Sequence, residues 1–222
     1  MHKDLRLPSF RLLPVLLLTL GAFPSAPPGA QATRKLNGPL ASSFSGDVQA
    51  FQLSPDGVHA LAYLEPGAGA PRRIERWRID GSGSPLVLVE ANAERTPMLP
   101  FVLAPDGSAL VYVSFETGLG PAALFRASCD GSAAPLRLTP PFVQYGAIQL
   151  SVSIPLGPWI TDGGKRVLYQ ADAEVQNQRE LWSVPIDGSA PPVRINSALA
   201  PNVSSGTVAL SPDGSEVAFV VR

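Results

Sequence analysis

Cysteine and histidine are almost missing from this chain, and neither sign of charge is in excess. The one cysteine, Cys129, has no intrachain disulfide partner and offers no thiolate cluster for structural zinc. With 17 Lys+Arg against 18 Asp+Glu in 222 residues, the basic surplus that nucleic-acid phosphates require is absent. No apolar run approaches the roughly 20 residues of a membrane-spanning helix. Turn formers, in contrast, are abundant. The 20 Gly and 24 Pro make about a fifth of the chain, high for a helical protein yet below the roughly 25–30% that marks low complexity. That composition favours many short strands joined by turns, stabilised by a packed core.

The N-terminus reads as an address. Lys3, Arg6 and Arg11 precede a twelve-residue apolar run, Leu12 to Phe23, which leads into Ala30-Gln31-Ala32. A charged segment, a short apolar segment and an A-x-A site form a secretory signal peptide, expected over residues 1–32 with cleavage after Ala32. A retained anchor is the alternative, disfavoured by Pro14 within the run and by the lack of a second span. No cysteine at the cleavage site supports a lipoprotein. The mature chain, 33–222, would be periplasmic or secreted, with 14 Lys+Arg against 17 Asp+Glu.

The remainder is one unit repeated. Ser54-Pro55-Asp56-Gly57, Ala104-Pro105-Asp106-Gly107, Thr161-Asp162-Gly163-Gly164 and Ser211-Pro212-Asp213-Gly214 recur at intervals of 50, 57 and 50 residues. A second element, Asp80-Gly81-Ser82, Asp130-Gly131-Ser132 and Asp187-Gly188-Ser189, begins 24 residues after the third position of the first in every case. The interior of each unit therefore has constant length. Short apolar stretches flank these turns: Ala60–Leu64, Leu110–Val113, Val167–Tyr169 and Val217–Val221 after the first, then Ile74–Ile79, Leu124–Cys129 and Leu181–Ile186 before the second. Leu86–Val89, Leu136–Leu138 and Val193–Ile195 follow the second turn, and Val48–Leu53 leads into the first. Near-continuous apolar runs predict a sheet covered on both faces. Asp-Gly supplies the positive φ that tight hairpins need. The reading is all-β: a β-propeller of four-stranded antiparallel blades. A β-sandwich, the alternative, leaves the constant interval unexplained.

Phe51-Gln52-Leu53-Ser54-Pro55-Asp56-Gly57, Leu181-Trp182-Ser183-Val184-Pro185-Ile186-Asp187-Gly188-Ser189 and Leu210-Ser211-Pro212-Asp213-Gly214 resemble the WD-like repeats of the TolB-type propeller family, over the whole of 33–222. The resemblance implies fold more than function. Such blades occur in periplasmic assembly proteins, in the propellers of prolyl-oligopeptidase-type peptidases and in many exported proteins of unassigned role. Two departures stand out: Gly163 replaces the turn Asp in the third unit, and Tyr63 lies one residue later than Tyr112, Tyr169 and Phe219.

The ring is expected to be incomplete, at about three and a half blades. Thr33-Arg34-Lys35-Leu36-Asn37 resembles Pro192-Val193-Arg194-Ile195-Asn196, so an outermost strand is expected at the mature N-terminus, and the chain stops at Arg222 after the second strand of the last unit. Three outcomes are open: a fragment of a longer propeller, a four-bladed ring with one thin blade, or a homodimer whose incomplete terminal blades combine into an eight-bladed ring.

No catalytic, metal or cofactor site is expected. His59 is the one histidine of the mature chain and is read as a polar side chain beside a turn, because no nucleophile is marked within its reach. G-x-S-x-G, H-E-x-x-H, G-x-G-x-x-G and Walker patterns are missing. Asp172-Ala173-Glu174 with Gln176, Asn177 and Gln178 does not match a calcium loop and is read as a solvated connection. Cys129 is read as a small buried side chain. Asp56, Asp80, Asp106, Asp130, Asp187 and Asp213 all precede Gly at equivalent turns, as structural residues do. Binding is expected on connections that differ between units, Pro66–Arg72, Glu116–Ala122, Phe142–Pro158 and Asp172–Gln178, with Phe142, Tyr145 and Trp159 around the longest, although no binding residue is singled out. The function expected is that of a non-catalytic exported propeller binding a protein or peptide. The alternative is the substrate-gating part of a peptidase whose catalytic domain is absent from this sequence.

Overall fold

The computed structural model describes residues 35–36, 46–67, 69–116, 122–140 and 157–222. The expected signal peptide, residues 1–32, lies outside them. The described chain is all-β, with one three-residue 3-10 turn.

Three four-stranded antiparallel sheets and one two-stranded sheet follow one another along the sequence. The first holds β1 (Asp47–Leu53), β2 (His59–Glu65), β3 (Arg73–Arg78) and β4 (Leu86–Glu90). The second holds β5 (Arg95–Leu103), β6 (Ala109–Glu116), β7 (Ala122–Ser128) and β8 (Leu136–Arg137). The third holds β9 (Trp159–Thr161), β10 (Arg166–Ala171), β11 (Glu180–Pro185) and β12 (Val193–Arg194). The last is the hairpin of β13 (Ser205–Leu210) and β14 (Val217–Val221). Within each sheet every strand pairs with its sequence neighbour, the meander that constant-length units demand.

Side-chain alternation explains why the apolar runs are nearly unbroken. On β6, Leu110 and Tyr112 pack with Leu61, Tyr63, Ile74 and Leu88 of the first sheet, while Val111 and Val113 pack with Val167, Tyr169, Trp182 and Val184 of the third. The second sheet is thus covered on both faces. Tyr112 stacks on Phe125 at 5.7 Å, and the Arg95 guanidinium lies 5.1 Å from the same ring. Tyr63 explains its own offset. A one-residue shift in a strand reverses the face, so Tyr63 points forward into the second sheet, whereas Tyr112 points back into the first and Tyr169 into the second.

Neighbouring sheets also meet through their backbones. The Gln52 side chain donates to the Phe101 carbonyl (2.7 Å) and accepts from the Leu103 amide (3.2 Å). Gln170, fully buried, donates to Ser205 Oγ and the Gly206 carbonyl, both at 2.8 Å, joining the third sheet to the last hairpin.

The turn glycines read out this stacking. A Cβ on Gly107 would lie 3.3 Å from Pro55 Cδ of the preceding sheet, whereas one on Gly57 would meet nothing within 4 Å. Both residues have positive φ, 72° and 68°. Ala at either position therefore carries the left-handed penalty, roughly 1–2 kcal/mol, and Gly107→Ala adds the displacement of a rigid proline ring. We expect Gly107→Ala to lower the melting temperature more than Gly57→Ala. Equal losses in paired thermal melts would contradict the stacking.

Lys35 and Leu36 are the described residues of the expected N-terminal outer strand. They are irregular, and Leu36 packs against Ala62, Leu64 and Trp77 of the first sheet. Thr33, Arg34 and Asn37 lie outside the described residues.

Candidate binding face

In a meander the connections fall alternately at opposite ends of the strands. The first-to-second and third-to-fourth connections lie at one edge of each sheet, and the second-to-third connections and sheet-to-sheet crossings lie at the other. These two edges are chemically different.

The first edge is built of the repeated Asp-Gly turns, and every Asp does the same work. Asp56, Asp80, Asp106, Asp130, Asp187 and Asp213 each accept the backbone N–H two residues on, from Val58, Ser82, Ser108, Ser132, Ser189 and Ser215, at 2.8 to 3.1 Å. A serine hydroxyl frequently joins, as from Ser54 to Asp56 or Ser211 to Asp213. Hydrogen bonds donated to the charged form hold all six carboxyls below the ordinary range: Ser54 leads for Asp56, Arg78 for Asp80, the Ser108 amide for Asp106, and serine hydroxyls for the other three, with Asp213 near 2. The turn reading of these residues therefore holds.

A group whose folded pKa is depressed contributes stability above its unfolded value, about 3.8, and loses that contribution as pH falls through the folded pKa. Thermal melts should accordingly stay level from pH 7 to about pH 4 and fall steeply between about pH 4 and pH 2. Asp213→Asn, which keeps an acceptor oxygen but no titrating group, should flatten part of that slope. A melting temperature unchanged down to pH 2 would show that the turns do not depend on ionised carboxyls.

The third unit, where Gly163 stands in place of Asp, closes differently. Asp162–Gly164 forms the 3-10 turn, and the Lys165 amide donates to the Asp162 carbonyl at 3.1 Å, replacing the missing side-chain acceptor.

Ser54, Asp56 and His59 share one turn and are the residue types of a hydrolase triad, a coincidence that motif reading passes over. Their geometry is different. The Ser54 hydroxyl donates to Asp56 Oδ1 (2.5 Å), and His59 Nδ1 lies 3.8 Å from Asp56 Oδ2, so the imidazole is engaged with the carboxylate side of the turn. A nucleophile needs the base on its own hydroxyl. The equivalent turn repeats the bonds with Glu216 in the His59 position: Ser211 Oγ donates to Asp213, and the Glu216 amide donates to Ser211. Cys129 is buried, which pushes its thiol up to about 11 and leaves it protonated at neutral pH.

The second edge carries the connections that vary. Glu116–Ala122 and Phe142–Pro158 lie largely outside the described residues, as do Phe142 and Tyr145, while Trp159 sits half-buried in β9. Asp172–Gln178 is described, and it is braced more firmly than a solvated connection. Asp172 is buried and accepts the Asn177 amide (3.1 Å), Gln178 donates to the Leu199 and Ala200 carbonyls, and Glu174 pairs with Arg194 at 2.9 Å. Its tip, Val175, is exposed. Beside it, Glu180 is buried and pairs with Arg194 at 3.0 Å through one oxygen, leaving Oε2 without a partner, as is the indole N–H of Trp182. Ion pairs border the same edge of the other sheets: Arg72 with Glu65 at 3.0 Å and Arg137 with Glu116 at 3.1 Å. Among the described residues no group of three or more His, Cys, Asp or Glu is placed to hold a metal ion, and no helix is long and apolar enough to cross a membrane.

No protein-family model and no curated protein matches the sequence. Solved structures do match in fold. The chain is similar to a TolB from Agrobacterium tumefaciens (TM-score 0.54, 20% identity, 82% of this chain and 57% of that one) and to TolB from Acinetobacter baumannii (0.52, 14%, 80% and 38%). It is also similar to a puromycin-hydrolysing peptidase of Mycobacterium tuberculosis (0.55, 19%, 80% and 28%). The fold is accordingly that of a TolB-like β-propeller, an incomplete one. The chain spans a little over half the length of the first of these structures and less of the others.

Proposed function

We propose that this protein is an exported, non-catalytic TolB-like propeller that binds a protein or peptide through the edge carrying its variable connections. The observation that supports this reading is the division of labour between the two edges. Every described Asp-Gly turn repeats one bonding pattern, the Asp carboxylate accepting the backbone amide two residues on, while the opposite edge presents connections of unequal length and bonding, with Val175 exposed at the tip of one. Scaffolds place recognition on the connections that differ and keep the repeated ones for folding.

The test is site-specific photo-crosslinking in the cell envelope, with the reactive side chain at Val175 or, as control, at Ser132 on the Asp-Gly edge. A discrete adduct at Val175 that excess unlabelled protein suppresses, with no adduct at Ser132, is the expected result. Adducts at Ser132 alone would overturn the assignment of the edge. Export has its own readout: protein recovered from the envelope should begin at Thr33, and an intact N-terminus there would refute cleavage after Ala32.

A second reading, the substrate-gating propeller of a peptidase, is favoured by the similarity to the puromycin-hydrolysing peptidase. A reading frame continuous with this one and encoding an α/β-hydrolase domain would select it. Binding without peptide hydrolysis would select the first.

A further inference from the structure

Three charged side chains at the variable edge of the third sheet are matched unequally. Arg194 donates through one nitrogen, Nη1, to two carboxylates, Glu174 at 2.9 Å and Glu180 at 3.0 Å. Glu180 is 2% exposed, yet its Oε2 has no hydrogen-bond partner. Another buried carboxylate of the chain shows what is missing. Glu75, 5% exposed, accepts from Arg73 Nε on one oxygen and from the Trp77 indole N–H (2.9 Å) on the other. Buried polar atoms are almost always bonded in this way, and an unpaired oxygen on a buried charged group is costly. Glu174, in contrast, has a side chain that is 55% exposed.

The complement of this excess carboxylate does not come from the chain. Arg194 stands opposite Trp182, which packs in one cluster with Val111, Val113 and Leu124, so Arg194 and Glu180 lie on the face turned to the second sheet. No Lys, Arg or His occurs in 117–121 or 138–164, so the connections that join β6 to β7 and β8 to β9 carry no base. Among the described residues no second base pairs with either carboxylate.

We propose that Glu174 receives a basic side chain, lysine or arginine, from the polypeptide that the variable edge binds, an inference that rests on that reading. The incoming cation takes Glu174 from Arg194. Arg194, no longer shared, turns its guanidinium fork onto Glu180 and pairs both carboxylate oxygens, Oε2 included. The exchange leaves no charge unpaired: Glu174 gains a cation, and Glu180 gains the donor that it lacks. Val175, exposed beside Glu174, offers an apolar contact to the same segment.

The test uses a random peptide library displayed on phage, panned on the full chain with and without prior depletion on Glu174→Lys. Glu174 is exposed, so its substitution leaves the fold intact, which thermal melts check. Peptides that survive depletion should carry Lys or Arg at a shared position, and Glu174→Gln should weaken their binding roughly 3- to 10-fold. Glu180→Gln should weaken it as well, although Glu174 is untouched, because Arg194 then keeps Glu174 as its one carboxylate. Survivors without a shared base, or none surviving where undepleted panning enriches peptides, would overturn the inference and leave peptide binding standing. No enrichment in either panning would overturn both. Binding that Glu180→Gln leaves unchanged would overturn the exchange at Arg194.

Discussion

Phe101→Ala should be severely destabilising, while Phe51→Ala, the same change fifty residues earlier in an equivalent strand, should leave the isolated chain nearly unaffected. Phe101 is 2% exposed in the cluster between the first two sheets, so its removal costs buried apolar surface and leaves a cavity, about 3–5 kcal/mol. For a chain of this size that lowers the melting temperature by on the order of 10 °C. Phe51 is 68% exposed, and truncating it falls within the roughly 0.5 kcal/mol typical of surface changes. The pair tests the stacking order directly, because sequence alone makes the two positions identical. Similar losses at both would mean that the first sheet has a neighbour on its backward face within the same chain. Melts are best run at low protein concentration, so that association through the exposed Phe51 does not protect it.

Gln170→Ala should free the last hairpin while sparing most of the fold. A two-stranded hairpin is marginal by itself in water, and the β13–β14 pair is held to the third sheet through bonds from Gln170 to Ser205 Oγ and the Gly206 carbonyl, with the Ser205 amide donating to the Arg179 carbonyl at 2.8 Å beside them. Removing the amide leaves the buried Ser205 hydroxyl and the part-buried Gly206 carbonyl without this donor, a loss of roughly 1–3 kcal/mol. Amides of residues 205–221 should then exchange about 10- to 100-fold faster, with those of β6 and β7 unchanged. Uniform acceleration across all four sheets would mean that the hairpin and the rest unfold as one unit, and no change at all would mean that the remaining contacts, the Ser205 amide to the Arg179 carbonyl among them, suffice to retain it.

The strands and turns were legible because each is written locally. Asp-Gly at constant spacing fixed the hairpins, and the apolar runs placed the strands to within a few residues. The burial of both faces could be anticipated from Leu110-Val111-Tyr112-Val113 because no polar residue interrupts it. The direction of each face was less legible. Tyr63 was noticeable only as one residue out of line, and its consequence, that it points forward where Tyr112 points back, depends on which strand it pairs with. The Pro-to-Gly approaches between sheets involve residues about fifty apart, at positions that local turn chemistry already explains, so nothing in the sequence flagged them. The bracing of Asp172–Gln178 was hidden for a related reason: its partners, Arg194 of β12 and Leu199 and Ala200 in the connection after it, lie about twenty residues on, and polar composition alone reads as solvated.

Amide hydrogen exchange of the native chain, resolved by strand, tests the stacked-blade arrangement most directly. Amides of β6 and β7, in a sheet covered on both faces, should be the slowest and should exchange only through global unfolding. At low protein concentration those of β2 and β3 should be intermediate, and β1 and the β13–β14 hairpin, whose outward-facing side chains Phe51, Leu53 and Val220 are exposed, the fastest of the strands. Protection that is equal across the four sheets, or greatest at β1 and β14, would contradict an open stack of propeller blades.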